Sequence, residues 1–410
     1  MILNETTLGE VSSGIQTGPF GSQLHQSDYS EIGTPVVMPK DLLNGKICED
    51  SIARVSLDHV NRLVRHKIEA GDILYSRRGD VGRCAYATET ETDWLCGTGC
   101  LRVTIDPQKA DSKYVFYRLQ MPETIGWVVN HAVGSTMLNL NTSILSDVPL
   151  KLPALEEQKT VVKILSAYDD LIENNKKQIK LLEEAAQRLY KEWFVDLRFP
   201  GYESTLIADG VPQGWDEYAI SDLCEKINAG GTPSRRNENY WNDATIKWYK
   251  TQELQDCWLI DSDERISDEG QKNSSAKFFP KNTILMAIYA SPTLGRLGVL
   301  DSEATCNQAA LCLKADEAII SWQWLYEKLY ELRDHYNGIA RGAGQQNISG
   351  EVVKQTIVLC PTKEIMDKFT QIVAPWFEKR RVLQKQNISL IETRDRLLPK
   401  LMSGVLEDKQ

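Results

Sequence analysis

The chain has 410 residues, 42% hydrophobic and 25% charged, with a formal net charge of −10. That length exceeds one ordinary core and predicts two or more domains of globular protein. Taken alone, the total charge argues against a nucleic-acid partner, and no run of about 18 apolar residues suggests a membrane span.

The N-terminus MILNETTLGE has neither a basic nor an apolar stretch of the kind that directs secretion. Nine scattered cysteines form no CxxC pair, and Cys96 and Cys100 alone stand four apart. This fits reduced cytosolic thiols in a core rather than a zinc site. The acidity is uneven. Residues 1–150 carry 13 basic and 18 acidic side chains, 151–198 nine of each, 199–358 carry 15 and 23, and 359–410 carry 10 and 7. Any DNA contact therefore needs locally focused basic residues, or a partner that supplies phosphate contacts.

Residues 1–150 read as mixed α and β. Leu8–Ile15 has a short amphipathic helix pattern, and turn residues Gly18, Pro19, Phe20, Gly21 and Ser22 follow. Strand-like runs come at Thr34–Met38, Ile73–Ser76, Ala85–Ala87 and Leu101–Ile105. Between two of them lies Arg77-Arg78-Gly79-Asp80-Val81-Gly82-Arg83. It can be a hairpin turn with solvated arginines. That is the usual fate of such a stretch; the sharper reading is a reading loop, in which glycines admit close backbone approach and arginine forks suit guanine edges or phosphates. Lys113–Met121 reads as helix. Gly134–Asn141, GSTMLNLN, reads as a turn with two asparagines able to bond a neighbour. Asp147–Pro153 is extended, because proline disfavours helix in the residue before it.

A long helix is predicted from near Glu156 to about Asp196. Leu165, Tyr168, Ile172, Asn175, Ile179, Leu182, Ala186, Leu189 and Trp193 step by three and four without a break, a heptad seam. Its length would be about 60 Å. Asn175 lies on the seam, either as a buried register-setting residue or as an ordinary solvated one. Phe199-Pro200-Gly201 ends the helix, and a linker reaches Trp215.

The pattern then repeats. Leu8, Val11, Ile15 and Gly18 correspond to Ile220, Leu223, Ile227 and Gly230, and Gly71–Leu74 to Asn282–Leu285. Leu101 corresponds to Leu311, and Gly134-Ser135-Thr136 to Gly342-Ala343-Gly344. Nine identities, from Pro153/Pro361 to Leu189/Leu397, keep one offset of 208 through the helices. Phe369, Ile372, Trp376, Leu383, Leu390, Leu397 and Leu401 form a second stripe. In it Arg380, Asn387 and Arg394 replace seam residues while Phe377, Ile391 and Leu398 move the stripe sideways, an asymmetry that suggests a third partner on part of that surface. The Arg77–Arg83 loop has Tyr289–Arg296 as its dissimilar counterpart. One scaffold twice, with different loops, suggests two related but distinct ligands.

No GxxxxGK[ST], GxGxxG or HExxH motif is present, nor the asparagine/aspartate-Pro-Pro-aromatic motif of amino-methyltransferases. The five histidines stand alone, and no nucleophile–base set is evident. The chain reads as a binder rather than a catalyst.

At these helices and turns the chain resembles the specificity subunits of type I restriction–modification systems, over essentially its whole length. LPALEEQKTVVKIL, AAQRLYKEWFVDLRFP and RDRLLPKLMSGVL are similar to that family's constant helical regions. TGPFGSQL and GDILYSRRGDVG resemble its first target-recognition domain; DGVPQGW, INAGGTPSRRNENYW and GAGQQNIS resemble its second. The resemblance implies an α/β (mixed α+β) fold: two target-recognition domains, 1–152 and 200–358, joined by two long antiparallel coiled-coil helices, 153–199 and 359–410, in a pseudo-twofold duplication. It implies a non-catalytic, cytoplasmic subunit with no cofactor of its own. Its expected partners are double-stranded DNA, two modification subunits that use S-adenosylmethionine for adenine N6 methylation, and two restriction subunits that use ATP and Mg²⁺. The two half-sites should lie about one DNA turn, roughly 10 bp, apart. The expected reading residues are Lys40, Arg77, Arg78, Arg83 and Thr136 in the first domain. In the second they are Arg235, Arg236, Tyr289, Ser291, Arg296, Gln345 and Gln346, since arginine suits guanine and glutamine suits adenine.

Overall fold

The computed structural model describes residues 2–134, 137–289, 293–340 and 347–404. It forms two compact units, Met1–Leu171 with Leu390–Gln410, and Ile172–Ser389.

In the first unit a four-stranded antiparallel sheet runs in the order Ser12–Thr17, Cys100–Ile105, Ile73–Ser76, Cys84–Tyr86. Cys100–Ile105 alternates, with Leu101, Val103 and Ile105 buried and Arg102 and Thr104 on the wetter face. Ile73–Ser76 is buried on both faces, because Ile73 and Tyr75 enter one core and Leu74 another. The helix Ser112–Leu119 packs on this sheet. Its N-cap Asp111 accepts a hydrogen bond from the Tyr114 N–H. A second sheet pairs Leu95–Cys96 parallel to Thr34–Val37, followed by Ala53–Val55 and Tyr29–Ser30. Asn4–Thr7 and Pro149–Leu152 form a separate ribbon.

The second unit repeats these pairings. Asn4↔Leu152 recurs as Asp216↔Cys360. Leu101↔Thr17 recurs as Leu311↔Ala229, and Val103↔Ile73 as Leu313↔Ile284. The parallel pair Val36↔Leu95 recurs as Trp248↔Thr305. Even the turn entering the central strand is repeated in the left-handed region, with φ of 92° at Gly71 and 63° at Asn282. Asparagine is among the few residues that tolerate this conformation in place of glycine. The second unit's main sheet gains a fifth strand, Cys257–Leu259, beside Leu297–Leu300.

The two long helices are Leu155–Tyr190, closed by a π-turn at Lys191–Val195, and Lys363–Met402. They run antiparallel in each unit. In the first, Val161 and Leu165 share a core with Leu401 and Met402, and Asp169 meets Arg394 at 2.9 Å. In the second, the Asn175 Nδ2 donates to Asn387 Oδ1 at 3.0 Å, and Glu183 meets Arg380 at 3.3 Å. Ala186, Tyr190, Trp193 and Phe194 there pack with Phe369, Val373 and Phe377. Asn175 is thus a buried seam residue.

Three local expectations are corrected. Helix is confined to Leu8–Val11, because Ser12 onward pairs with Cys100–Ile105 as a strand. On the second long helix Ile372 faces outward and Trp376 is half-buried, while Val373, Phe377 and Arg380 turn inward. Arg380 and Asn387 are buried in the helix pair and Arg394 bonds Asp169, so these residues complete the seam and do not mark a site for a further partner.

Candidate nucleic-acid interface

Arg77–Arg83 connects the antiparallel strands Ile73–Ser76 and Cys84–Tyr86, as a hairpin loop that turns at Gly79 with φ of 75°. It is held from two sides. The Arg77 N–H donates to Gly99 O at 2.8 Å, and Arg77 O accepts from the Leu140 N–H at 2.8 Å. The Gly79 N–H donates to Leu138 O at 3.1 Å, and Arg78 forms a β-bridge with Asn139. The two stretches that the sequence marked separately, the arginine loop and GSTMLNLN, are therefore one structure.

The side chains around this bridge differ in freedom. The Arg77 guanidinium is half-buried, 5.9 Å from the centre of the Phe20 ring, and Phe20 itself is 52% exposed. Arg83 is held by Asp80 at 2.9 Å. Arg78 is exposed and makes no side-chain bond or ion pair among the described residues. Lys40 follows Pro39, which packs on Gly99; its Nζ donates to Ser51 O at 2.7 Å. Thr136 lies outside the described residues.

The second unit places the same construction at the same point. Tyr289 forms a β-bridge with Asn347, and the Ile348 N–H donates to Ile288 O at 3.1 Å. The Ile288 N–H bonds Ala309 O at 2.9 Å, as Arg77 bonds Gly99. Arg296 O accepts from the Ala287 N–H, as Arg83 O does from Ser76, both at 2.9 Å. Arg296 is thus the counterpart of Arg83, and Tyr289 that of Arg78. Ser291, Gln345 and Gln346 lie outside the described residues.

Arg235 and Arg236 are neighbours with different surroundings. Arg235 lies 3.5 Å from the centre of the Trp241 ring and is ion-paired to Glu264, which also takes Lys250 at 2.8 Å. The bonds from Arg235 and then Lys250 hold the Glu264 carboxyl below the usual range. Arg236 is exposed and makes no side-chain bond among the described residues. No bond described joins this pair to Tyr289 or Arg296.

Three residues were missed as candidates. Asn139 and Asn347 are the bridge partners of Arg78 and Tyr289. Gln252 is the counterpart of Lys40: the Met38 N–H bonds Asp41 as the Lys250 N–H bonds Glu253, each at 2.8 Å. The slowly changing repeat offset was the signal that could have found them.

Other chemistry is not favoured. Among the described residues no three His, Cys, Asp or Glu are arranged to hold a metal. Burial pushes the Cys84 and Cys96 thiols up to about 12, which suits core residues and not nucleophiles. A cleft of about 570 Å³ in the first unit is lined by residues including Glu5, Arg118, Trp127 and Lys151, and by none of the candidate reading residues. No helix among the described residues is long and apolar enough to cross a membrane.

A family model for the type I restriction modification DNA specificity domain matches this chain twice, over residues 5–184 and 212–396. The chain is 26% identical over 382 residues to the type I restriction enzyme MjaIX specificity subunit of Methanocaldococcus jannaschii, covering 91% of this chain and 86% of that one. It is 23% identical over a 470-residue alignment to the type I restriction enzyme HindI specificity subunit of Haemophilus influenzae, covering 98% of each. In fold it is similar to the crystal structure of a type I restriction–modification S subunit from M. genitalium. That match has a TM-score of 0.62 at 16% identity and covers 97% of this chain and 96% of the other.

Proposed function

This chain belongs to the type I restriction–modification DNA specificity family, and from that premise we propose how its parts divide the work of recognition. It is a DNA-specificity subunit and is itself non-catalytic. Residues 1–152 and 200–358 each read one half of a bipartite DNA site. Residues 153–199 and 359–410 form the helical spacer between the halves and the surface on which two modification subunits dock. Those subunits methylate adenine at N6 with S-adenosylmethionine. Two restriction subunits add ATP- and Mg²⁺-dependent cleavage.

The observation that carries this reading is the repeated bridge: Arg78 with Asn139 in one unit, Tyr289 with Asn347 in the other. The backbone device is the same while the exposed side chain differs, which is what two related readers of different bases require. Arg77, Arg78, Arg83 and Lys40 serve the first half-site, and Arg236, Tyr289 and Arg296 the second. Arg235, engaged by Trp241 and Glu264, acts by fixing the loop that presents Arg236. A chain of net charge −10 depends on its partner subunits for part of the phosphate contact, so binding by the assembled enzyme should be far tighter than by the chain alone.

The test is methylation by the assembled enzyme with Arg77→Ala and Arg78→Ala combined. Recognition of one half-site should relax or disappear while the other half and the spacer stay as in the parent. An unchanged motif at an unchanged rate would refute the assignment of this loop.

A further inference from the structure

The reading above uses the backbone bridges of Asn139 and Asn347 but gives their side chains no role. Each is the residue bridged to the start of the variable loop, and the two stand at matching places in the repeat. The loop partner changes from Arg78 to Tyr289, and the position matching Lys40 changes to Gln252, yet the carboxamide is the same in both units.

The backbone of Asn139 is fixed in detail. It exchanges two hydrogen bonds with Val133, at 2.8 and 3.0 Å, and its neighbours Leu138 and Leu140 bond Gly79 and Arg77. A residue held this firmly presents its side chain at a defined point, as direct readout requires. The local hydrogen bonding is also incomplete. Asn139 Oδ1 and Arg77 Nε are both buried and without partner among the described residues, one acceptor and one donor in adjoining parts of the loop junction. Buried polar atoms are ordinarily paired. The Asn139 carboxamide thus keeps an acceptor that nothing among the described residues uses, close to the exposed Arg78.

Resting on the proposed function, we infer that Asn139 and Asn347 are a constant contact made alike to both half-sites, and that Arg78 and Tyr289 are the discriminating contacts beside them. A carboxamide offers both a donor and an acceptor, so it can serve the same element in each half-site. Arg78 presents a fork that matches the O6 and N7 acceptors of guanine. Tyr289 offers one hydroxyl and a ring face, which does not satisfy those two acceptors. The half-site read by Arg78 therefore carries guanine at a position where the other half-site does not.

The experiment uses the assembled methyltransferase, this chain with its modification subunits. A pooled library of duplexes is methylated with S-adenosylmethionine, and the methylated motif is read for the parent and for Asn139→Ala, Asn347→Ala, Arg78→Ala and Tyr289→Ala. Asn139→Ala and Asn347→Ala should each lower methylation of the parent motif by about tenfold or more, the loss of a good base contact. Arg78→Ala should relax one guanine position in the half-site that Asn139→Ala weakens. Tyr289→Ala should relax one position in the opposite half-site. Should an alanine variant fail to assemble, Asn139→Ser and Asn347→Ser replace it and are read the same way. The inference is overturned if either asparagine replacement leaves motif and rate unchanged, or if Arg78→Ala alters the half-site that Asn347→Ala weakens. A parent enzyme that yields no bipartite motif would instead refute the proposed function itself.

Discussion

The helix pair carries a polar bridge in each unit, and the two bridges make different use of the same chemistry. In the first unit Asp169 and Arg394 meet at 2.9 Å, with Arg394 30% exposed. Asp169 also accepts from the Tyr117 hydroxyl. In the second unit Glu183 and Arg380 meet at 3.3 Å, with Arg380 only 5% exposed. Arg380 lies near the faces of Phe377 and Tyr326, at 5.2 and 6.0 Å, and donates to Asp256 O. The position that holds Tyr117 in the first unit holds Glu327 in the second, since the caps Asp111 and Ser321 match. The first unit thus hydrates its bridge and supports it with a neutral hydroxyl. The second buries its bridge beside another acid. A charge left unpaired costs little at an exposed site and much at a dry one.

The largest expected effect follows directly. Arg380→Ala removes the cation and leaves Glu183 and Glu327 close together without it. It should cost about 3–5 kcal/mol, measured by urea unfolding of the full chain, with amide exchange of the Trp322–Glu331 helix as local readout. Arg380→Met keeps much of the packing volume and should lose less of it. A cost below about 1 kcal/mol for Arg380→Ala would mean that burial does not separate the two bridges.

A second test uses pH and concerns the second unit alone. Burial, more than the nearby Glu183 and Asp256, raises the Glu327 carboxyl to about 8, and Arg380 pulls it only partly back. The unfolded value is near 4.3. Between these two values the folded chain holds a proton that the unfolded chain has released, so stability falls as pH rises through this window. Glu327→Gln cannot ionise. It should be more stable than the parent at pH 9, by several kcal/mol and up to about 5, and the difference should vanish towards pH 4. Parallel stability curves for parent and variant from pH 4 to 9 would show that Glu327 is not the buried ionisable group.

Much of this comparison could be read from the chain and part of it could not. The offset drifting from 212 to 208 located the repeated strand registers, because indels in surface loops leave strand pairing intact. The heptad steps located the first long helix and placed Asn175 on its seam. The inward face of the second helix was misplaced by one position, at Ile372 instead of Val373. A seam that buries Arg380 and Asn387 does not look apolar, so a pattern of hydrophobic residues drifts sideways to find one. At the candidate interface the arginine loop was recognised from its glycines. Its pairing with Asn139 was not, since a bridge between residues 78 and 139 has no local signature. Nor could Arg235 be told from Arg236. What separates them is Trp241 and Trp248, brought over Arg235 by folding.

The smallest expected effect lies at the first bridge. Arg394→Ala removes a cation that is partly hydrated and already shared with Asp395, 2.8 Å from its guanidinium. Asp169 keeps the Tyr117 hydroxyl as a donor, so its carboxylate is not orphaned. The cost should be about 0.5–1 kcal/mol and should shrink when the unfolding is repeated in 1 M salt. Tyr117→Phe together with Arg394→Ala takes away both described partners of Asp169, and the pair should cost more than the sum of the single changes. If Arg394→Ala alone cost as much as Arg380→Ala, the partial exposure of the first bridge would not make it tolerant of losing its cation, and the contrast between the two units would fall.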